Sequence, residues 1–418
     1  VSDTNDLNGR LDRLSPEHRL LLERRLAQTG RPAPAEPGNS GSPQARRATA
    51  KSPAPSLIPL GDGPASGQLP DLSLLFFSGD AAAEEPDGTN PYRLLIESAR
   101  LADRRGFQAV WLPERHFQRF GGLYPSPSVL AAGIATVTER IGLRSGSVVA
   151  PLHDPVRIAE EWAVVDNLSG GRVGLSFATG WHPVDFALVP EAFADRREIM
   201  HRTIETVRAL WRGERIPRTD GSGGAVEVST LPRPVQPELP IWVTASSTPA
   251  TWLRAADLGA GVLCGLISQG PASLAQGISA YRKRWAEHGH PGTGHVSLML
   301  HTFVGDDEDA IRERVREPLT QYLGTFLGQY GSVEEIRRRN PGLDVREDDA
   351  AAIVNHAFQR HFDGSSLLGG RDKCLRMLAD AAAAGIDEVA CLIDFGVGVD
   401  ETLASLSLLA DWRDRHSS

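Results

Sequence analysis

One stretch constrains the fold more than any other: Ser145 to Asp185, SGSVVAPLHDPVRIAEEWAVVDNLSGGRVGLSFATGWHPVD. Val148 and Val149 end an apolar run that Pro151 closes. Asp154 followed by Pro155 opens a helix. A proline at the first helical position gives up an N–H that would have no partner there, and the aspartate can cap. Val156, Ile158, Ala159, Trp162, Val165 and Leu168 then recur at three- and four-residue spacing, the mark of a helix with one buried face. Ser169-Gly170-Gly171 ends it, because glycine accepts the left-handed conformation that closes helices. Val173 to Phe177 is a second apolar run, so the stretch is a βαβ unit whose two strands lie parallel. Both strands run at their C-terminal ends into polar residues: His153 and Asp154 after the first, Thr179, Gly180, Trp181 and His182 after the second. In parallel α/β folds, chemistry sits at that edge.

The chain repeats this unit. Further strands are expected at Leu72–Phe77, Ala109–Leu112, Ile141–Val149, Ile241–Thr244, Gly261–Cys264, Val296–Val304 and Glu388–Ile393, nearly all alternating with helices. Gly213–Pro240 reads as a Gly/Pro-rich excursion, and Asp307 to about Phe362 as a helical insertion. Eight strands in this alternation predict an α/β fold, a (β/α)8 TIM barrel with insertions over residues 71–418. An open doubly wound sheet is the alternative. No strand is followed by GxGxxG opening a helix, and no GxxxxGK[ST] is present, so nucleotide-binding variants of that sheet have weak support. Ahead of the barrel, residues 29–70 are rich in Pro, Gly, Ser and Ala and read as a disordered linker. Residues 1–28 hold a short amphipathic helix, Pro16–Ala27, started by Ser15-Pro16-Glu17. It either packs on the barrel or docks elsewhere.

Cys264, Cys374 and Cys391 are odd in number and far apart, which argues against a disulfide framework or zinc finger and fits a reducing, cytoplasmic setting. The net charge of −9, with no long basic run, speaks against nucleic acid. No apolar run reaches the ~20 residues of a membrane span, and the polar start VSDTNDLNGR does not read as a signal peptide.

If the barrel is right, the residues after each strand share one pocket. Ala245-Ser246-Ser247-Thr248-Pro249-Ala250-Thr251 leads into a helix, and its hydroxyls with the N-terminal N–H groups suit a phosphate. The plainer reading is that Ser247 or Thr248 caps the helix. His116, His153 and His182 follow three strands. A metal is not expected, because the first strand offers no ligand and Asp394 is the one carboxylate after the last. Trp181 and Phe77 either pack the rim or wall a flat heteroaromatic site.

Three long segments carry a family resemblance: WLPERHF (Trp111–Phe117), Ser145–Pro183, and ADRREIMHRTIETVRALW (Ala194–Trp211). Through them, residues Asp71 to Trp412 resemble the bacterial luciferase-like monooxygenases, most of all the branch within polyketide and nonribosomal peptide assembly lines. LDRLSPEHRLLLERRLA likewise resembles the short helices that precede domains in such synthases, which favours docking. The resemblance implies a flavin-dependent monooxygenase using O2 and reduced FMN from a separate flavin reductase. Its substrate would be an intermediate held on an acyl or peptidyl carrier protein. A homodimer is left open, and light emission is not expected. By motif position, the flavin phosphate would lie against Ser246, Ser247 and Thr251, with Gly180 and Trp181 beside it. The ring would sit near Ser147, with Phe77 and His116 lining the pocket. The resemblance, with the small residues Ser145, Gly146 and Ser147, predicts a non-proline cis peptide next to Ser147.

Two positions depart from luciferases. Arg115 stands where they carry a catalytic histidine, and Thr179 where they place a phosphate-contacting arginine, so a deazaflavin stays open. Arginine only donates hydrogen bonds. Acid–base work is therefore assigned to His116, with His182 the next candidate, while Arg115 would hold a carboxylate, a thioester oxygen or Glu114.

Overall fold

The computed structural model describes residues 69–77, 90–266, 270–329, 358–359 and 361–416. The apolar runs become β1 (Asp71–Leu75), β2 (Ala109–Leu112), β3 (Gly142–Val149), β4 (Val173–Ala178), β5 (Ile216–Thr219), β6 (Ala225–Val228), β7 (Ile241–Thr244), β8 (Gly261–Gly265), β9 (Val296–Val304), β10 (Leu367–Gly369) and β11 (Glu388–Leu392). Between them run α1 (Arg93–Arg104), α2 (Pro127–Ala135), α3 (Pro155–Ser169), α4 (Arg196–Arg212), α5 (Pro249–Asp257), α6 (Pro271–Glu287), α7 (Glu308–Gln329) and α8 (Arg371–Ala383), with α9 (Val399–His416) last. The expected helix at Pro16–Ala27, nearly all of the 29–70 linker and part of the 307–362 insertion lie outside the described residues.

The strands pair in the order β1-β2-β3-β4-β7-β8-β9-β11, and β11 pairs back to β1. Every one of these pairings is parallel, so the sheet closes and the open-sheet alternative falls. Two elements escaped the sequence reading. Within the 213–240 excursion, β5 and β6 form an antiparallel hairpin, and the Asp220 carboxylate accepts from the Ser222 and Gly224 amides to hold its turn. β10 is a three-residue strand that pairs with β9 outside the ring, too short to carry a periodicity.

Local signals in the opening βαβ unit work as expected. Asp154 accepts from the Val156 amide at 2.8 Å, and Gly170 closes α3 at φ +69°. Ser126 does not cap α2; its hydroxyl pairs with that of Ser128 instead.

Along each strand, side chains alternate between the barrel lumen and the helices. On β9, Leu298, Leu300 and Val304 join the core shared with the helices, while Met299 and Phe303 join the inner cluster with Leu75, Trp111, Trp242, Leu263, Ala390 and Leu392. The floor of the lumen is polar. Glu388 accepts from Ser73 Oγ (2.6 Å), Trp111 Nε1 (2.8 Å) and Arg144 Nη1 (2.6 Å). The Arg144 guanidinium also sits over the Trp111 and Trp242 rings. A cavity of about 480 Å³ opens at this N-terminal end, lined among others by Arg140, Arg144 and Arg172. Its arginines are committed: Arg172 to the Ile141, Thr138 and Ser169 carbonyls, Arg140 to that of Asp103 and Arg144 to Glu388. No described helix is long and apolar enough to cross a membrane.

Candidate active site

At the other end of the lumen, the peptide between Gly146 and Ser147 is cis, as expected from the small residues there. A Cβ at Gly146 would meet Trp111 Cβ at 3.0 Å, so a side chain has little room. The β3–β4 register slips between Gly146 and Val148. This bulge places Ser147 in a hydroxyl cluster: its Oγ donates to Ser176 Oγ at 3.1 Å, Ser176 and Thr244 are 2.9 Å apart, and Ser147 and Thr244 also bond. Three hydroxyls from β3, β4 and β7 thus share one wall of the mouth.

Beside that wall, a buried carboxylate organises two loops. Glu114 Oε2 accepts from the Val149 amide at 2.7 Å. Its Oε1 accepts from His153 Nε2 at 2.6 Å and His116 Nε2 at 2.9 Å. Burial pushes the Glu114 carboxyl up, but these hydrogen bonds outweigh it and hold the group below the usual carboxylate range. Burial likewise draws the His153 imidazolium down, yet the bond and charge of Glu114 raise it above the ordinary histidine value. An ionised carboxylate only accepts, so both rings carry their proton on Nε2. Nδ1 of His116 is then the nitrogen open to proton exchange.

Both imidazoles occupy Glu114, and Asp154 accepts from Arg218 at 2.9 Å. The Arg115 side chain is buried, its guanidinium carbon 5.1 Å from the Trp181 ring, 5.2 Å from Phe77 and 5.8 Å from Phe120. It thereby joins the two aromatics that the sequence left ambiguous. Phe77 is further fixed by its amide, which donates to both Asp394 oxygens, and Tyr124 donates to the same carboxylate at 2.8 Å.

His182 Nδ1 and Asp185 Oδ1 are buried without a hydrogen-bond partner among the described residues. Burial raises the Asp185 carboxyl, against the pull of Arg115, His182 and His116. Gly180 precedes them at φ +73°, where a Cβ would meet Phe186 at 2.7 Å and Val149 at 2.8 Å. Only glycine fits both constraints. Thr179 is partly exposed, and its hydroxyl reaches no further than the Gly180 carbonyl at 3.4 Å.

The turn ahead of α5 is pinned by Trp252 Nε1, which donates to the Ser246 carbonyl at 2.8 Å. Thr248 occupies the cap position and makes no side-chain capping bond. Among the described residues, neither Ser247 nor Thr248 makes a side-chain capping bond, which leaves their hydroxyls at the helix N-terminus.

A family model described as luciferase-like monooxygenase matches residues 73–388, the whole barrel from β1 to the start of β11. The chain belongs to the luciferase-like monooxygenase family. Among curated proteins, this family member is 25% identical to the oxygenase component of the flavin-dependent trigonelline monooxygenase of Acinetobacter baylyi, over 79% of this chain and 91% of that one. Among solved structures, the oxygenating constituent of 3,6-diketocamphane monooxygenase from Pseudomonas putida, in complex with FMN, aligns with a TM-score of 0.64 at 17% identity. That alignment covers 83% of this chain and 98% of that one. An F420-dependent secondary alcohol dehydrogenase aligns at a TM-score of 0.59 and 15% identity, covering 83% and 99%. Identities this low establish the shared fold.

The residues present in this luciferase-like monooxygenase fit an FMN. A hydroxyl-rich helix N-terminus offers donors to a phosphate, the cis Gly146–Ser147 segment and its hydroxyls offer a polar wall, and two orphaned buried atoms await hydrogen bonds. Glu114, Asp185 and Asp394 were missed as site residues. Glu114 was legible in part, two residues from His116 in the motif PERHF. Asp394 was legible only as the carboxylate after the last strand; Asp185 joins the site through the tertiary fold, and no local pattern marks it.

Proposed function

We propose that this luciferase-like monooxygenase takes reduced FMN from a separate flavin reductase and transfers oxygen from O2 to an acyl or peptidyl intermediate carried on a carrier protein. The observation that carries the site reading is the mouth itself: hydroxyls of Ser147, Ser176 and Thr244 beside a cis peptide, with uncommitted hydroxyls ahead of α5. When bound, FMN supplies the oxygen chemistry. Ser246, Ser247 and Thr251 hold its phosphate, Gly180 and Trp181 flank it, and Thr179 lies nearby without the positive charge that luciferases place there. Ser147 supports the ring, and Phe77 lines the pocket. His116 moves a proton at Nδ1 while Glu114 fixes its ring. Arg115, buried under Phe77 and Trp181, closes the wall against water and orients a substrate oxygen. His182 is the second proton carrier. The N-terminal segment LDRLSPEHRLLLERRLA supports the carrier-protein reading and assembly-line biosynthesis, and a homodimer is proposed as the working unit.

Mass spectrometry of the carrier-bound substrate, with and without enzyme, tests this reading. Gain of one oxygen atom only in the presence of enzyme, reduced FMN and O2 is the expected result. A second reading rests on Thr179 and the missing phosphate arginine: a deazaflavin-dependent hydride transfer at the same mouth. Exchange of hydride with reduced deazaflavin, without O2 uptake, would select it.

A further inference from the structure

Across the barrel from Ser147, a buried histidine stands in a wall made mostly of aromatic rings. In the ring order, β9 stands four strands from β3 in either direction. His301 on β9 shares the lumen-facing parity of Met299 and Phe303, and it is in register with Leu392 of β11. It is 1% exposed. Its Nδ1 lies 3.0 Å from His361 Nε2. Its Nε2 has no hydrogen-bond partner among the described residues. Around it runs a chain of rings: Tyr322 of α7 at 4.4 Å and Phe395 at 5.4 Å, then Phe120 against Tyr322 at 5.2 Å and Phe77 against Phe120 at 5.9 Å. These rings come from the ends of β1 and β11, from α7 and from the loop after β2, so the wall is continuous with the Arg115 side of the mouth.

Leaving a buried nitrogen unpaired costs free energy unless something completes it. The site is also selective in charge. Burial, with His361 beside it, depresses the His301 imidazolium far below the ordinary histidine value, so the ring is neutral and itself offers no charge to an ionic group.

We propose that His301 Nε2 is the polar anchor of the substrate pocket, and that the substrate class is an apolar, ring-sized group bearing one neutral oxygen, a carbonyl or a hydroxyl. The proposal rests on the functional reading above, since it places the substrate between this wall and the Ser147 side. His361 acts as a positioning residue: its bond to Nδ1 fixes the tautomer of His301 and so decides whether Nε2 donates or accepts.

The test uses the full chain with 15N-labelled histidine and three probes of one shape: acetophenone, 1-phenylethanol and ethylbenzene. The His301 Nε2 resonance, assigned by its loss in His301→Phe, should move with an oxygenated probe and stay still with ethylbenzene. The favoured oxygenated probe should bind about tenfold tighter than ethylbenzene, the scale of one net buried hydrogen bond. His301→Phe keeps an aromatic ring and should abolish the preference while leaving ethylbenzene binding intact. Response to both oxygenated probes makes Nε2 a donor; response to the alcohol alone makes it an acceptor. Equal affinity for all three probes, or a preference that survives in His301→Phe, overturns the proposal. If His301→Phe does not fold, His301→Gln supplies the assignment, and silence of the wild-type resonance with all three probes overturns it equally. Oxygen uptake with reduced FMN, measured without any probe, reports separately on the functional reading.

Discussion

At the scale of the residue, Glu114 decides the chemistry of its neighbours. A group whose value is lowered on folding stabilises above its unfolded pKa, and the contribution fades as pH falls through the lowered value. His153 is raised, so its contribution is complete below its unfolded pKa and is lost as pH rises through the raised value. The Glu114–His153 contact is therefore strongest between those limits. Thermal melts at pH 6 and pH 9 should show a loss on the alkaline side that Glu114→Gln reduces, with the variant ~1–3 kcal/mol less stable near neutrality, the scale of lost hydrogen bonds to a charged group. His153 is the smaller partner in this, because its side chain is 36% exposed against 12% for His116. His116→Asn should lower turnover ~100-fold, the usual worth of a positioned acid or base, while equilibrium titration finds FMN affinity nearly unchanged. A variant that keeps its rate would shift the proton work to His182.

At the scale of the element, α5 and the loop after β4 border the part of the mouth where the flavin is proposed to bind. Ser246→Ala combined with Ser247→Ala should weaken FMN binding by ~1–3 kcal/mol in a fluorescence titration, since these hydroxyls have no other partner among the described residues. Unchanged affinity would remove the phosphate assignment. Gly180→Ala tests the loop, because it forces a Cβ into Phe186 and Val149 at a positive φ. Its melting transition should fall by an amount corresponding to ~1–3 kcal/mol, the cost of a residue held in an unfavourable backbone region. At this scale the sequence was informative where a helix has a proline at its start or a glycine at its end, as in α3. It was uninformative for β10 and the β5–β6 hairpin, whose existence depends on a neighbouring strand rather than on their own pattern.

At the scale of the whole molecule, the barrel has a polar floor and a functional mouth. The floor pair tests how the lumen is filled. Burial raises the Glu388 carboxyl, and the Arg144 guanidinium then His295 bring it below the usual range. Arg144→Met alone leaves that carboxylate buried without its cation and should destabilise by ~3–5 kcal/mol in denaturant melts. Arg144→Met with Glu388→Gln should recover much of the loss, and a double variant no better than the single would show that Arg144 acts through its stacking on Trp111 and Trp242.

The sequence by itself determined the repeating unit, the strand ends that face one another and the family. Alternation, helix caps and long contiguous motifs are local patterns that survive without the fold. Only the tertiary structure decided what each polar group does. The Arg115 guanidinium lies near three aromatic rings, while two imidazoles from separate loops bond to Glu114. Closure of the barrel sets the His301 ring against Tyr322, Phe395 and His361, which nothing in its own strand's pattern marks. Such pairings join residues up to 94 positions apart, and the distance between them is fixed by the closed sheet.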